Sequence, residues 1–119
     1  MPAKKRIIIN CSDCTYILST DQIVYLESSG SSTSFLLNDN FKFTSSYPIK
    51  DYQESLSESG FLRCHRSFLV NLEHVYKIDK EGYIVLKDKS SIPIAQQRIS
   101  AFIEKAHEFF SKKEIKTAI

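Results

Sequence analysis

The sequence has no tryptophan, few glycines and cysteines, and no long apolar run. Its three glycines stand in no motif that cradles a phosphate group, so a nucleotide-binding loop is not indicated. Three cysteines are an odd number, which argues against a secreted disulfide framework and fits a reducing cytosol. The longest apolar runs, such as Ile7 to Ile9, fall far short of the roughly 20 residues that span a bilayer.

A large excess of positive charge is also missing. Lys and Arg together number 16 against 14 Asp and Glu, which gives a net charge of +2. This total does not indicate a nucleic-acid partner, so any DNA binding must come from a local cluster of cations. The basic start, Met1 to Arg6, is not followed by the apolar stretch of a signal peptide. The sequence therefore predicts a cytoplasmic protein with no membrane partner.

The chain is long enough for one domain with a real core, and its pattern favours strands. Eight Phe and six Tyr accompany many Ile and Val, the residue types enriched in sheets. Short runs separated by turn-forming residues predict an all-β fold of stacked small sheets. The ten predicted strands are Arg6–Asn10, Thr15–Leu18, Ile23–Glu27, Ser34–Leu37, Phe41–Thr44, Phe61–Cys64, Phe68–Val70, Val75–Ile78, Tyr83–Leu86 and Ile92–Ala95.

Two segments have helical spacing instead. A short mid-chain helix is predicted over Pro48 to Leu56, and an amphipathic C-terminal helix from Ile99 to Phe110. The second helix is expected to pack against a sheet edge, with dimerisation as the alternative. These elements predict a basic tail or linker remnant at residues 1–5, one domain at 6–112 and a C-terminal tail at 113–119.

The segment from Phe61 to Leu72 is the most informative for function. It places two arginines, a histidine, a serine and an asparagine among apolar residues that must be buried. A strand entering the core at Phe61 and another leaving it from Phe68 would hold the polar group on a short, rigid corner. These side chains can all reach phosphates or base edges. The corner is therefore predicted to form half of a DNA-reading surface.

The same segment, Phe-x-Arg-x-His-Arg-Ser-Phe-Leu-Val-Asn-Leu, resembles the signature of the LytTR family of bacterial DNA-binding domains. The resemblance extends to Asp21–Ser28, Val75–Asp79 and Ser91–Arg98, and covers roughly residues 5 to 110. It implies about ten short strands in three small antiparallel sheets, with minor helices. It also implies that loops enter successive major grooves of promoter DNA and that pairs of domains bind tandem direct repeats. If the chain is an excised fragment, a receiver domain in cis is implied as well.

Carried over by position, the resemblance assigns site residues to three loops. The predicted base-contacting residues are Arg66, Thr33, Gln97, Arg98 and Gln96. The predicted backbone-contacting or supporting residues are Arg63, His65, Ser67, Ser32, Ser34, Asn71, Lys77, Lys87 and Lys89. The third loop departs from the family pattern, because Ala95 and Gln96 stand where a Ser followed by an Arg is common.

Several roles stay open at this point. Arg66 either pairs with guanine or makes a surface ion pair, and the Arg63 head group meets either a phosphate or a carboxylate. His65 is expected to orient the corner through a backbone carbonyl, and an Asx turn is the simpler role for Asn71. Lys50 and Lys42 are further candidates for phosphate contacts.

The sequence leaves two other functions open. A protein-interaction module on the same fold would explain why Ala95, Gln96 and Gln97 replace the expected polar and basic pair in the third loop, and why the net charge is small. A Cys-based zinc or redox sensor would use Cys11, Cys14 and Cys64, but a lone CxxC is weak evidence for either chemistry. Cys64 and His65 are adjacent in a strand and point to opposite faces, so they do not form a nucleophile–base pair. No enzyme, cofactor or metal site is predicted.

Overall fold

The computed structural model describes residues 5–111, and within that range the protein is built mostly of short antiparallel strands. The ten strands are β1 (Arg6–Asn10), β2 (Thr15–Ser19), β3 (Ile23–Ser29), β4 (Ser32–Leu37), β5 (Lys42–Ser45), β6 (Phe61–His65), β7 (Phe68–Asn71), β8 (Val75–Ile78), β9 (Tyr83–Leu86) and β10 (Ser91–Pro93). The two helices are α1 (Ile49–Leu56) and α2 (Ile99–Ser111). Short 3₁₀ turns cover Thr20–Gln22, Ser57–Ser59, Leu72–His74 and Gln96–Arg98.

The strands form three antiparallel sheets, as the resemblance implied. The central sheet has five strands in the order β5-β4-β3-β7-β6. The hairpin β1–β2 forms a two-stranded sheet, and β8, β9 and β10 form a three-stranded one. The predicted fold class, mainly β with two helices, is confirmed. The predicted tail at residues 113–119 and most of the tail at 1–5 lie outside the described residues.

Alternating side chains divide the core into two clusters. In the first cluster, Ile9 of the β1–β2 hairpin and Tyr52 of α1 pack against residues of the central sheet such as Leu26 and Phe35. The other brings β8–β10 and α2 together with the neighbouring strand residues Val24 and Val70. Residues next to each other in a strand point to opposite faces, which places the central sheet between two packed layers.

The C-terminal helix packs at the edge of the central sheet. Phe102 and Ala106 are buried in the second cluster, and α2 contacts the edge strand β6. The ring of Phe109 reaches Gly60, which precedes β6. The predicted packing of this helix against a sheet edge is confirmed over its described length.

The strand directions place the connecting loops of the described residues at two opposite ends. One end carries the turn Gly30–Ser31, the corner Arg66–Ser67 and the segment Ala95–Arg98, and we call it the Arg66 end. At the opposite end lie Thr20–Gln22, His74 and the β9–β10 turn. His74 Nε2 hydrogen-bonds the Asp21 carbonyl at 2.8 Å, and its own carbonyl accepts from Lys87 N–H at 3.1 Å.

Candidate nucleic-acid interface

The corner between β6 and β7 is held by the side chain of Arg63. Its Nε donates to the His65 carbonyl at 2.9 Å, and its Nη2 donates to the Arg66 carbonyl. Its Nη1 donates to Gln53 Oε1 on α1 at 2.6 Å. A guanidinium offers five donors in a fixed fork, so these bonds brace the corner against the helix. The partners among residues 5–111 are two carbonyls and an amide rather than a carboxylate, and contact with a phosphate stays a prediction.

His65 and Ser67 complete the brace. His65 Nδ1 accepts a hydrogen bond from Ser67 N–H at 3.1 Å, and its ring packs edge-on to Phe68 at 5.7 Å between centroids. His65 therefore orients the corner through a backbone amide, whereas a carbonyl had been expected. The Ser67 carbonyl in turn accepts from Ser28 N–H at 2.8 Å, which fixes the corner to the end of β3.

Arg66 is exposed at the tip of this braced corner. Among residues 5–111 its guanidinium has no hydrogen-bond or ion-pair partner, although its own carbonyl accepts from Arg63. A surface ion pair, the alternative role for this residue, is therefore not formed with any described residue. A free guanidinium on a fixed backbone is available for paired hydrogen bonds to an external group.

The β3–β4 hairpin lies beside the corner. Its strands close over Gly30–Ser31, with Ser29 opposite Ser32 and Gly30 at a φ of +63°. A left-handed conformation at the first turn position is typical of glycine in a type II′ hairpin. Ser31 is exposed at this tip, and Ser32 is half-buried beside it. The hairpin therefore presents small hydroxyl side chains next to Arg66.

Thr33 does not belong to that exposed tip. Its side chain is 0% exposed, and its Oγ1 donates to the Tyr47 carbonyl at 2.7 Å. Thr33 is in phase with Phe35 and Leu37, which face the first core cluster. A buried hydroxyl with a protein partner does not reach a base, which corrects its predicted base contact. Ser34, on the other face, shares a hydrogen bond with Thr44 Oγ1 at 3.2 Å.

The third loop, Ala95 to Arg98, is attached to β6, the strand that leads into the corner. Ala95 N–H donates to the Cys64 carbonyl at 2.8 Å, so the 3₁₀ turn that follows begins next to β6. Gln96 and Gln97 are exposed, and Arg98 is half-buried. Burial lowers the pKa of Arg63, and the nearby positive charge of Arg98 lowers it further. The two arginines are thus close enough to repel each other, which concentrates positive potential behind the corner.

The other predicted supporting residues divide by position. Asn71 is buried, and it accepts from Glu73 N–H at 3.0 Å in an Asx turn. Its amide also donates to the carbonyls of Thr20 and Ile23. The structural role for Asn71 is confirmed, and its burial leaves no route to adenine. Lys77 is exposed on β8.

Lys87 and Lys89 lie in the β9–β10 turn at the opposite end. Lys87 N–H is bonded to the His74 carbonyl, and Lys89 Nζ sits 3.6 Å from the centroid of the Tyr76 ring. These two lysines therefore lie at the opposite end from the three loops, and their contact with a DNA backbone stays a prediction. Lys42 begins β5 at that same opposite end. Lys50, in the first turn of α1, lies at the Arg66 end and is exposed.

One exposed side chain at the Arg66 end was not singled out from the sequence. Tyr47 connects β5 to α1, and its side chain is 49% exposed. Its backbone is held by Thr33 Oγ1 and by Ser45 Oγ, which accepts from Tyr47 N–H at 3.3 Å. The sequence Ser-Ser-Tyr-Pro indicates a connection between a strand and a helix. It does not indicate at which end of the central sheet that connection lies.

The three cysteines are not brought together. Cys11 packs against the first core cluster, whereas Cys64 is buried in the second. Burial raises the pKa of Cys64 to about 12. Within the described range no group of three or more His, Cys, Asp or Glu side chains is placed to hold a metal ion. A three-cysteine zinc site is therefore inconsistent with the fold.

Between residues 5 and 111 the chain forms no helix with the length and apolar character needed to cross a membrane.

Comparison with known proteins gives relatives of one kind. The chain is 25% identical over 95 residues to the sensory transduction protein LytT of Bacillus subtilis, a match that covers 76% of this chain. The chain spans only about two fifths (39%) of that relative's length. A LytTr DNA-binding domain from Bacillus cereus shares the fold, with a TM-score of 0.71 and 24% identity, over 86% of this chain and 96% of that one.

The family model described as the LytTr DNA-binding domain matches residues 13–107, which contain all three loops at the Arg66 end. This is a family of DNA-binding domains. The chain belongs to the LytTr DNA-binding domain family.

Proposed function

We propose that this chain is a sequence-specific DNA-binding transcriptional regulator that reads promoter direct repeats. The β3–β4 tip, the Arg66 corner and the Gln96–Arg98 turn enter successive major grooves. Arg66 pairs with a guanine, and the exposed Gln97 and Gln96 contact neighbouring bases. Arg98 and Lys50 interact with phosphates, while Arg63 and His65 hold the corner in place without touching DNA.

The observation that carries the proposal is the braced corner. Arg63 and His65 fix the backbone on either side of Arg66, whose guanidinium remains exposed. An arginine held in this way loses little conformational freedom when it forms two hydrogen bonds to O6 and N7 of guanine. Such a contact contributes about 1–3 kcal/mol of discrimination against other bases. Simple phosphate attraction would not need a corner fixed by so many bonds.

The chain has the dimensions expected for contact with more than one groove. Its principal extents are 51 × 36 × 25 Å, and the three loops converge on one end from the central and the three-stranded sheets. One turn of B-DNA spans about 34–36 Å. We propose that a second copy occupies the next repeat on the same face of the duplex.

A receiver domain in cis belongs to the same proposal. The relative LytT is named as a sensory transduction protein and is much longer than this chain. Phosphorylation of such a receiver would then control the occupancy of the promoter repeats, as in a two-component system in the cytoplasm.

Selection from a pool of random duplexes tests the function directly. Purified protein is mixed with the pool at about 0.1 M salt, bound duplexes are amplified, and the cycle is repeated. We expect enrichment of a short motif that contains guanine and occurs twice at a spacing of one helical turn. A pool that stays random after repeated cycles would contradict the proposal.

The same experiment separates this function from a protein-interaction module. Gln96 and Gln97 supply no charge at the third loop, and the net charge of +2 is small. Both features favour a module that has lost DNA readout. A protein of that kind would enrich no motif, and its binding to any duplex would disappear at moderate salt.

A further inference from the structure

The tip of the β1–β2 hairpin brings Cys11 and Cys14 face to face. The register of the two strands ends with Asn10 opposite Thr15, and Cys11 N–H donates to the Cys14 carbonyl at 2.8 Å. Cys11 and Cys14 lie one step beyond this last pair and flank a bend at Ser12 and Asp13. Opposed residues of antiparallel strands have Cα atoms about 4.5–5.5 Å apart, so a pair held by a backbone hydrogen bond at the end of a hairpin is close to the separations of about 4.4–6.8 Å at which disulfides form.

The two thiols differ in access. Cys14 is exposed, whereas Cys11 is half-buried and donates through Sγ to the Thr44 carbonyl at 3.6 Å. Burial raises the pKa of Cys11, and the neighbouring Cys14 and Asp13 raise it further, in part through a hydrogen bond between the thiols. Cys14 is therefore the thiol that a soluble reagent meets first, with Cys11 directly behind it.

We propose that Cys11 and Cys14 form a reversible redox modification site that closes to an intrachain disulfide by exchange with low-molecular-weight disulfides. The Cys14 thiolate attacks one sulfur of the small disulfide, forms a mixed disulfide and releases one small thiolate. The Cys11 thiol then loses its proton to water and attacks the Cys14 sulfur, which releases the second small thiolate. The protein loses two hydrogens, and the small disulfide is reduced to two thiols.

The site is separate from the proposed base-reading residues and from Cys64. Closure removes the thiol proton that the Thr44 carbonyl accepts, in the strand that also carries Ser45. Ser45 pairs with Thr33 and supports the connection to α1. The oxidation state of the pair therefore changes contacts at the edge strand next to the β3–β4 hairpin. This inference does not depend on the proposed DNA binding.

Mass spectrometry with oxidised glutathione as the small disulfide tests the proposal on the full chain. No Lys or Arg lies between Arg6 and Lys42, so trypsin releases both cysteines in one peptide, Ile7 to Lys42. Cys64 falls on a separate tripeptide between Arg63 and Arg66. We expect the first peptide to lose two hydrogens, while Cys64 in the folded protein remains a thiol. A stable glutathione adduct on Cys14 without closure would overturn the proposal.

Two controls complete the test: the first establishes that Cys14 takes part, and the second distinguishes a preformed site from two cysteines that are merely close in sequence. Cys14→Ser removes an exposed thiol and should abolish the loss of two hydrogens, with the fold unchanged. In the wild-type chain, the equilibrium ratio of disulfide to dithiol should be about tenfold higher when folded than in urea, because the hairpin orients the pair. An equal or lower ratio in the folded protein would show that the hairpin does not favour closure, contrary to the proposal.

Discussion

At the scale of single residues, two arginines that are three positions apart have different surroundings. Arg63 donates hydrogen bonds to the carbonyls of His65 and Arg66 and to the side chain of Gln53. Arg66 is exposed and has no side-chain partner within residues 5–111. One arginine therefore maintains the shape of the corner, and the other is available for the ligand.

Replacement of Arg63 tests that division. Arg63→Ala should lower the free energy of unfolding by about 1–3 kcal/mol, because it leaves partly buried acceptors without donors. Urea titration measures the change. Arg66→Ala is the matched control and should shift stability by no more than about 0.5 kcal/mol. Equal effects of the two substitutions would argue against a bracing role for Arg63.

The corrected role of Thr33 gives a second test at this scale. Thr33→Val keeps the shape of the side chain but removes the hydroxyl that bonds the Tyr47 carbonyl. We expect a loss of about 1–3 kcal/mol in stability and no change in base preference. Ser31→Ala, at the exposed tip, should leave stability unchanged. If Thr33→Val altered base preference while stability stayed constant, the threonine would contact DNA after all.

At the scale of elements, Gly60 lies directly against the C-terminal helix α2. Gly60 has a φ of +87°, and a Cβ there would lie 2.6 Å from Cζ of Phe109. Gly30 also has a positive φ, +63°, but a Cβ at that position would meet nothing within 4 Å. Both glycines therefore have a positive φ, but only at Gly60 would an added Cβ collide with another side chain.

This difference predicts unequal effects of the same substitution. Gly30→Ala should cost about 1–2 kcal/mol from the left-handed backbone alone. Gly60→Ala should cost about 1 kcal/mol more, because the ring of Phe109 must move. Thermal or urea unfolding measures both. Combining Gly60→Ala with Phe109→Ala should remove the excess, and persistence of the full excess would show that Phe109 does not cause it.

At the scale of the whole molecule, position decides which cations matter, since the net charge is only +2. Lys50→Gln, at the Arg66 end, should reduce the slope of log K against log salt by about 1, because one phosphate contact is lost. Lys87→Gln, at the opposite end, removes the same charge and should leave the slope unchanged. Titration of binding between low and moderate salt compares the two variants. A larger effect of Lys87→Gln would indicate that DNA binds at the opposite end and would contradict the proposed interface.

The sequence predicted the elements better than it predicted the site. All ten strands and both helices were located from alternation, turn residues and helical spacing, with differences mainly at their ends. The corner was recognised because polar side chains interrupted a run that must be buried. The prediction for Thr33 was wrong because the predicted strand begins only at Ser34, although alternation with Phe35 and Leu37 places Thr33 on the buried face.

Other parts of the site depend on contacts between distant residues. The end occupied by Lys87 follows from its bond to His74 and from the pairing of β8 with β9. The brace on Arg66 requires Gln53 from α1 and Ser28 from β3. Local spacing carries no information on such contacts, which arise only when the sheets assemble.

The most direct measurement is the ratio of affinities for a selected duplex and a scrambled duplex, in wild type and Arg66→Ala at the same salt concentration. We expect the substitution to reduce this ratio by about 1–3 kcal/mol, mainly through weaker binding to the selected duplex. Arg66→Lys, which keeps the charge but not the fork, should recover only part of it. An unchanged ratio in Arg66→Ala would contradict the claim that this corner reads bases.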